Sequence, residues 1–297
     1  MMWTEITNHI SKVTGKTFEI KNRRSVSGGC INQGYALIGE SSTYFVKLNQ
    51  ASQVEMFEAE MLGLQQMLDT RTIRVPKPIC CGIAGDSAYI VMEWLEFGGG
   101  NTQGWEEMGR KLAEMHQANP PQPLQIVGET LARFGWERNN TIGSTPQLNN
   151  WTADWAEFFV KHRLGYQFQL AQRRGGHFPG KDELLGKVPE LLDHQPQPSL
   201  VHGDLWGGNA AITKIGEPVI LDPATYVGDR EVDIAMTELF GGFPAAFYRG
   251  YNEVWALDLG YKQRKTLYNL YHILNHFNLF GGGYGSQASR MIEQILG

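Results

Sequence analysis

The chain has 297 residues, 42% hydrophobic and 11% aromatic, which suits one large or two modest globular domains and excludes a disordered chain. Its formal net charge of −5, with no lysine or arginine run longer than two, excludes an electrostatic nucleic-acid binder. No apolar run approaches the roughly 20 residues that span a bilayer, the start MMWTEITNHI lacks a signal-peptide pattern, and the three cysteines, Cys30, Cys80 and Cys81, make no disulfide framework, so a reducing cytoplasm is expected.

In chain order, YALIG and YFVKL read as short strands joined by the hairpin turn ESST. Residues 51–68 place Met56, Phe57, Met61, Leu64 and Leu68 at helical spacing. VPKPI then stops the helix, because proline cannot continue it. SAYIVMEWL reads as a further strand, so strand, strand, helix, strand, strand are expected by about residue 95. EFGGG at 96–100 reads as a flexible joint. Beyond it GWEEMGRKLAEMHQA, the stretch 151–164, KDELLGKVPELL, EVDIAMTELF and YKQRKTLYNLYHILNHFNLF read as helices, interrupted by two short strands around 200–222. The expectation is an α+β protein. A small sheet-rich lobe (1–95) precedes a larger helical lobe (96–297), with a cleft between them of the kind that ligands favour.

The stretch SVSGGCINQGY, 25–35, sets glycines between two strands. Gly28 and Gly29 either let backbone amides approach phosphate oxygens or simply meet the dihedral needs of a turn. GKT at 15–17 imitates the end of a Walker A motif, but Ile10 stands where the first glycine belongs. Lys47 in YFVKL follows the glycine-rich hairpin and could neutralise phosphate; alone it would read as an exposed edge lysine. Glu60 follows on the helix, on a face near Phe57 and Leu64. A lysine–glutamate pair of this kind holds the phosphate-binding lysine of kinases, with Glu58 the less favoured partner here. In VHGDLWGGN, His202, Asp204 and Asn209 have the spacing of H-R-D-x-x-x-x-N, where the aspartate is the base and the asparagine meets a metal. Gly203 replaces the arginine that engages a phosphorylated activation loop, which argues against that regulation. PVILDPA delivers Asp222 at the end of an apolar strand, thirteen residues after Asn209. Asn209 and Asp222 offer two oxygen ligands for Mg²⁺. Pro223 and Ala224 replace the last two residues of D-F-G, so no flipping switch is expected. In this order the parts read as a phosphotransferase.

The H-G-D form followed by D-P-A resembles small-molecule kinases related to aminoglycoside phosphotransferases and choline kinases. More closely, SGGCINQGY, HGDLWGGN, DPATYVGDREVDIAM, LFGGFPAAFYRGY and LYHILNHFNLFGGGY resemble the fructosamine kinase (ketosamine 3-kinase) family over nearly the whole chain. The resemblance implies a protein-kinase-like bilobal fold, with a small antiparallel-sheet N-lobe for nucleotide and a larger helical C-lobe for catalysis and acceptor. It implies ATP-dependent phosphorylation of the sugar 3-hydroxyl of ketosamines, small or protein-bound, whose 3-phosphates release the amine. ATP and Mg²⁺ are the implied cofactors.

On that footing Asp204 accepts or orients the proton of the attacking hydroxyl. Lys47, and Mg²⁺ on Asn209 and Asp222, face the phosphates. Gly28, Gly29 and Cys30 with Glu60 complete the nucleotide side, and the backbone of Glu93, Trp94 and Leu95 meets adenine. His202 braces its loop rather than titrating. Trp206 either packs its loop or sets an indole beside the apolar face of the acceptor sugar. His272 and His276 are four apart but lack the glutamate of H-E-x-x-H. Asn275, His276 and Asn278 read as acceptor-site groups or as helix packing. Cys30 is either a small half-buried residue or an oxidisable thiol that would block ATP or link two chains. A monomer or a redox-linked dimer is therefore expected. Asp233 caps its helix or braces the catalytic loop; Tyr226 and Arg230 have no assigned role. Competing readings keep the fold with an aminoglycoside, choline or other hydroxylated acceptor, or make the chain a nucleotide-binding regulator without turnover.

Overall fold

The expected hairpin forms the middle of a five-stranded antiparallel sheet in the computed structural model, which describes residues 2–26, 31–121, 126–127 and 130–297. The strands are β1 (Asn22–Val26), β2 (Gln33–Ile38), β3 (Thr43–Gln50), β4 (Pro78–Ala84) and β5 (Ser87–Glu93), in the order β1-β2-β3-β5-β4. Successive strand residues point to opposite faces. Val46, Leu48, Tyr89 and Val91 therefore share an outer core with Ile6, Ile10 and Phe18. Phe45 and Lys47 point the other way, into a cleft. Lys47 sits opposite Gly34 of β2 and Ile90 of β5, so it occupies the middle of the sheet rather than its edge.

Ile6 and Ile10 belong to α1 (Met2–Thr14), an N-terminal helix that the sequence reading did not anticipate. Its buried stripe is only these two isoleucines, one turn apart. α2 (Val54–Asp69) covers the inner face with Phe57, Leu64 and Met67. The predicted strand, strand, helix, strand, strand run is thus β2, β3, α2, β4 and β5. The joint expected at 96–100 is tied down: Lys214 N donates to the Glu96 carbonyl at 2.9 Å, and Gly98 N to that of Ile212 at 2.9 Å.

The remainder is helical, interrupted by short ladders. α3 (Thr102–Gln117) is followed by the two-residue strands β6 (Ile126–Val127) and β7 (Thr130–Leu131), and by the hairpin β8 (Asn140–Ile142)–β9 (Thr145–Gln147). Next come α4 (Trp155–Phe159), a π-turn (Val160–Leu164), α5 (Gly165–Arg173) and α6 (Lys181–Leu191). β10 (Pro198–Val201) pairs with β13 (Tyr226–Asp229), and β11 (Ala210–Ile212) with β12 (Pro218–Ile220). The region around 200–222, expected to hold two strands, therefore holds β11, β12 and the end of β10, with β13 just beyond it. These two ladders bring the loops 202–209 and 221–225 side by side. α7 (Glu231–Leu239), α8 (Ala245–Val254), α9 (Tyr261–Phe280) and α10 (Tyr284–Leu296) complete the chain.

α3 and α8 cross at glycines. A Cβ on Gly109 would lie 2.0 Å from the Phe247 carbonyl oxygen, and one on Gly250 1.9 Å from that of Glu106. Only backbone fits on either side, so the two helices meet main chain to main chain. Among the described residues, no helix is long and apolar enough to cross a membrane.

Candidate active site

The loop 202–209 owes its path to Gly203 and Asp233. Gly203 has φ +80°, and a Cβ there would meet the Ala224 carbonyl oxygen at 2.2 Å. The N–H groups of His202 and Gly203 donate to the two oxygens of Asp233, at 2.7 and 2.8 Å. Asp233 thus braces the 202–209 loop; it makes no cap for its own helix, α7. Behind it, His116 Nε2 stands 3.1 Å from the same carboxylate, and His116 Nδ1 stands 2.8 Å from the Tyr251 hydroxyl. Arg230 Nη1 donates to that hydroxyl at 3.1 Å. Burial alone would raise the Asp233 carboxyl, but the His116 contact outweighs it and holds Asp233 below its ordinary value.

His202 is fully buried and also a brace. Its Nε2 lies 2.7 Å from the Leu221 carbonyl, and its Nδ1 accepts from the Asp204 N–H at 3.2 Å. That pair of contacts selects the tautomer with the proton on Nε2. Burial pushes the imidazole below its ordinary pKa, so it is neutral.

Lys47 Nζ donates to Glu60 Oε1 and Asp222 Oδ1, each at 2.6 Å. Glu58 instead pairs with Arg138 at 3.3 Å, so Glu60 is the partner. Burial works against the Lys47 ammonium, yet Asp222 and Glu60 win and raise its pKa. Asp204 is pushed up to about 7, first by burial and then by the charges of Asp222 and Asp233. Asn209 Nδ2 donates to the Asp204 carbonyl at 2.8 Å, which leaves its Oδ1 as an unused acceptor. Asp222 adopts φ +53°, a region that aspartate tolerates better than most residues but at some cost.

A cleft of about 480 Å³ collects Lys47, Glu60, Asp204, Trp206, Asn209 and Asp222 with Asn275 and His276. The Trp206 indole is 42% exposed and lies over Gly208, where a Cβ would come within 2.3 Å of the ring. It packs on its loop and also lines the cleft. Asn275 is buried and shared with packing, since its amide bridges Gln167 and the Ile142 carbonyl at 3.3 Å each. His276 Nδ1 is 2.8 Å from the His272 carbonyl, with its ring against Phe240 and Tyr284. Asn278 donates to Gln167 and does not line the cleft. His272 lines it too, kept neutral by burial and by His276, which push it down to about 3.

Glu93, Trp94 and Leu95 do not line this cleft. Glu93 ends β5 with its carboxylate on Arg74 and its N–H on the Lys77 carbonyl at 3.0 Å. The Trp94 ring lies 6.4 Å from Phe45, which does line the cleft. Arg74 also pairs with Glu217 at 2.6 Å, joining the sheet to the β11–β12 turn. Gly28, Gly29 and Cys30 fall outside the described residues. Burial pushes the Cys80 thiol up to about 12 and that of Cys81 to about 11, so neither is a reactive thiolate. His194, Asp229 and Glu231 approach one another closely enough to suggest a metal site. Arg264, however, takes both Glu231 oxygens at 2.7 Å, and His194 and Tyr268 share Asp229 Oδ2, so the group is a self-contained ion-pair network.

Asp233 was visible in the sequence, but its partner His116, and the Tyr251 that holds His116, were not. Each lies on a different helix, over a hundred residues from Asp233 in the case of His116.

The family model for fructosamine kinase matches residues 2–297. The chain is 60% identical over 295 residues to a probable ketoamine kinase of Synechocystis sp., covering 99% of this chain and 97% of that one. It is 45% identical to a chloroplastic protein-ribulosamine 3-kinase of Arabidopsis thaliana, covering 95% and 85%. Among solved structures, the Haemophilus somnus protein assigned by inference as a fructosamine-3-kinase superposes with TM-score 0.90 at 31% identity, covering 100% of this chain and 98% of that one. A choline kinase of Streptococcus pneumoniae shares the fold, with TM-score 0.63 at 15% identity over 99% and 98% of the two chains.

Proposed function

The chain belongs to the fructosamine kinase family, and from that premise we propose that it is an ATP-dependent ketosamine 3-kinase. The observation that carries this reading is a single cleft holding Asp204, the Lys47–Glu60 pair and Asp222, faced by a neutral, aromatic acceptor wall. Asp204 takes the proton of the acceptor 3-hydroxyl; a carboxyl held near neutrality is suited to that transfer. Lys47 exchanges a carboxylate partner for phosphate oxygens and offsets their charge. Asn209 Oδ1 and Asp222 would hold Mg²⁺: a carboxylate and a free amide oxygen are the hard donors that this ion prefers. Bound there, Mg²⁺ supplies charge neutralisation between the nucleotide phosphates. We read the backbone of Glu93, Trp94 and Leu95 as the adenine edge, with Gly28, Gly29 and Cys30 over the phosphates. Residues 1–95 then form the nucleotide lobe and 96–297 the catalytic and acceptor lobe.

A 3-phosphorylated adduct is labile and frees the amine, so the activity amounts to repair of glycated amines in the cytoplasm. A monomer is the expected state, or a Cys30-linked dimer under oxidation. The acceptor wall favours a ketosamine over an aminoglycoside. Its polar groups, Asn275, His272 and His276, are neutral, whereas a polycation calls for carboxylates. The test is an ATP-dependent phosphorylation screen over ketosamines, aminoglycosides and choline, with Asp204→Ala as control. Ketosamine turnover that vanishes in the variant supports the reading. Turnover of another acceptor alone, or tight ATP binding with no turnover, overturns it.

Trp206 supplies a separate check. Trp206→Ala should raise the acceptor KM by about tenfold and leave the ATP KM within about twofold, since only the acceptor meets the indole face. An unchanged acceptor KM would reduce Trp206 to loop packing.

A further inference from the structure

Two buried carboxamides, Gln147 and Asn149, and the half-buried Asn140 at the cleft wall meet beside the segment that carries Asp222. Asn140 Nδ2 donates to the Thr225 carbonyl at 2.8 Å, and Gln147 Nε2 to the Ala224 carbonyl at 3.0 Å. Gln147 Nε2 and Asn149 Nδ2 both donate to Asn140 Oδ1, at 2.9 and 2.8 Å, so the three side chains act as a unit. The Tyr271 hydroxyl donates to Gln147 Oε1 at 2.7 Å, and Arg163 Nη2 to Asn149 Oδ1 at 2.8 Å. Polar groups so buried are costly unless bonded, and simple packing would be served better by apolar side chains.

What they grip is informative. Ala224 and Thr225 follow Asp222 by two and three residues. On the other side of Asp222, the Leu221 N–H donates to the Asn209 carbonyl at 2.8 Å, and the Leu221 carbonyl lies 2.7 Å from His202 Nε2. The left-handed backbone of Asp222 is thus held from both ends, as such a conformation needs. The same segment also grips α2. Trp136 Nε1 donates to Gln66 Oε1 at 2.8 Å, Arg138 pairs with Glu58, and Gly63 leaves room for Thr225, whose Oγ1 would lie 2.7 Å from a Cβ there.

We propose that residues 136–149 form a permanent clasp, with Gln147 and Asn140 as positioning residues that hold Asp222 in its metal-binding arrangement. The clasp does in fixed form what a regulated activation segment would otherwise do. Neither Gln147 nor Asn140 needs to touch the phosphates; they act through the backbone of 224–225. The inference rests on the reading of Asp222 as a metal ligand.

The test measures Mn²⁺ affinity with ADP present, by electron paramagnetic resonance, alongside steady-state kinetics. Gln147→Met keeps the length and apolar bulk but loses three hydrogen bonds. It should weaken Mn²⁺ binding and lower kcat by about tenfold each, with the acceptor KM within about twofold. Tyr271→Phe, which loses only the bond that orients Gln147, should shift both in the same direction by less. Ile292→Val in α10 serves as a purely structural control: it should lower the melting temperature and leave Mn²⁺ affinity unchanged. Wild-type Mn²⁺ affinity in both Gln147→Met and Tyr271→Phe overturns the clasp while the reading of Asp222 stands. If Asp222→Ala itself binds Mn²⁺ as wild type does, that reading fails and the clasp falls with it.

Discussion

Replacing Asp204 with asparagine is expected to lower kcat/KM by about 10³-fold, within the range of general-base catalysis, and to make the metal-free protein more stable at pH 8. The first effect follows from removing the only carboxylate among the described cleft residues that is not paired with Lys47. The second follows from its pKa, raised from 3.8 to about 7. Between those values the folded chain binds more protons than the unfolded chain. Its contribution to stability is full below about pH 4 and is lost as pH rises through 7. Complete burial would make that loss about 4 kcal/mol. Asp204 opens to the cleft and is partly screened by water, so a difference of about 1–2 kcal/mol is expected. Urea denaturation in EDTA at pH 5 and pH 8 measures it: the wild type should lose stability between the two relative to Asp204→Asn. Parallel pH dependence would contradict the raised pKa, and surviving turnover would contradict the base.

Gly250→Ala should cost about 3 kcal/mol or more, the scale of overpacking against an unyielding backbone. The new Cβ would lie 1.9 Å from the Glu106 carbonyl oxygen, so α3 and α8 must move apart. Those helices carry His116 and Tyr251, which together support Asp233 and through it the N–H groups of the catalytic loop. Turnover should fall along with the melting temperature, although residue 250 is outside the cleft. Activity unchanged at a temperature well below melting would mean that the His116–Tyr251 contact does not set the loop geometry.

The grouping of these residues in one cleft was legible because it depends on residue types at short, rigid spacings. His202, Asp204 and Asn209 fall within eight positions, and Asp222 ends an apolar strand. Lys47 and Glu60 were legible as a pair because only the end of β3 and the first turns of α2 separate them. The supporting shell was not. Gln147 meets Ala224 across 77 residues, and a glutamine in a sequence carries no mark of which carbonyl it will face. α1 escaped notice because only Ile6 and Ile10 in MWTEITNHISKVT are buried, too sparse a stripe to stand out from a polar start. Short strands such as β11 and β12 take their form from pairing rather than from their own composition. Asn275 lines the cleft while its amide also ties α9 to Gln167 and to the Ile142 carbonyl, contacts that no spacing in the sequence announces.

Lys47 bonds Glu60 of α2 and Asp222 of the neighbouring loop at once, so sheet, helix and loop meet at a single charge. One ammonium is thus the common fastener of three pieces, and its loss would leave Glu60 and Asp222 as two facing like charges with nothing between them.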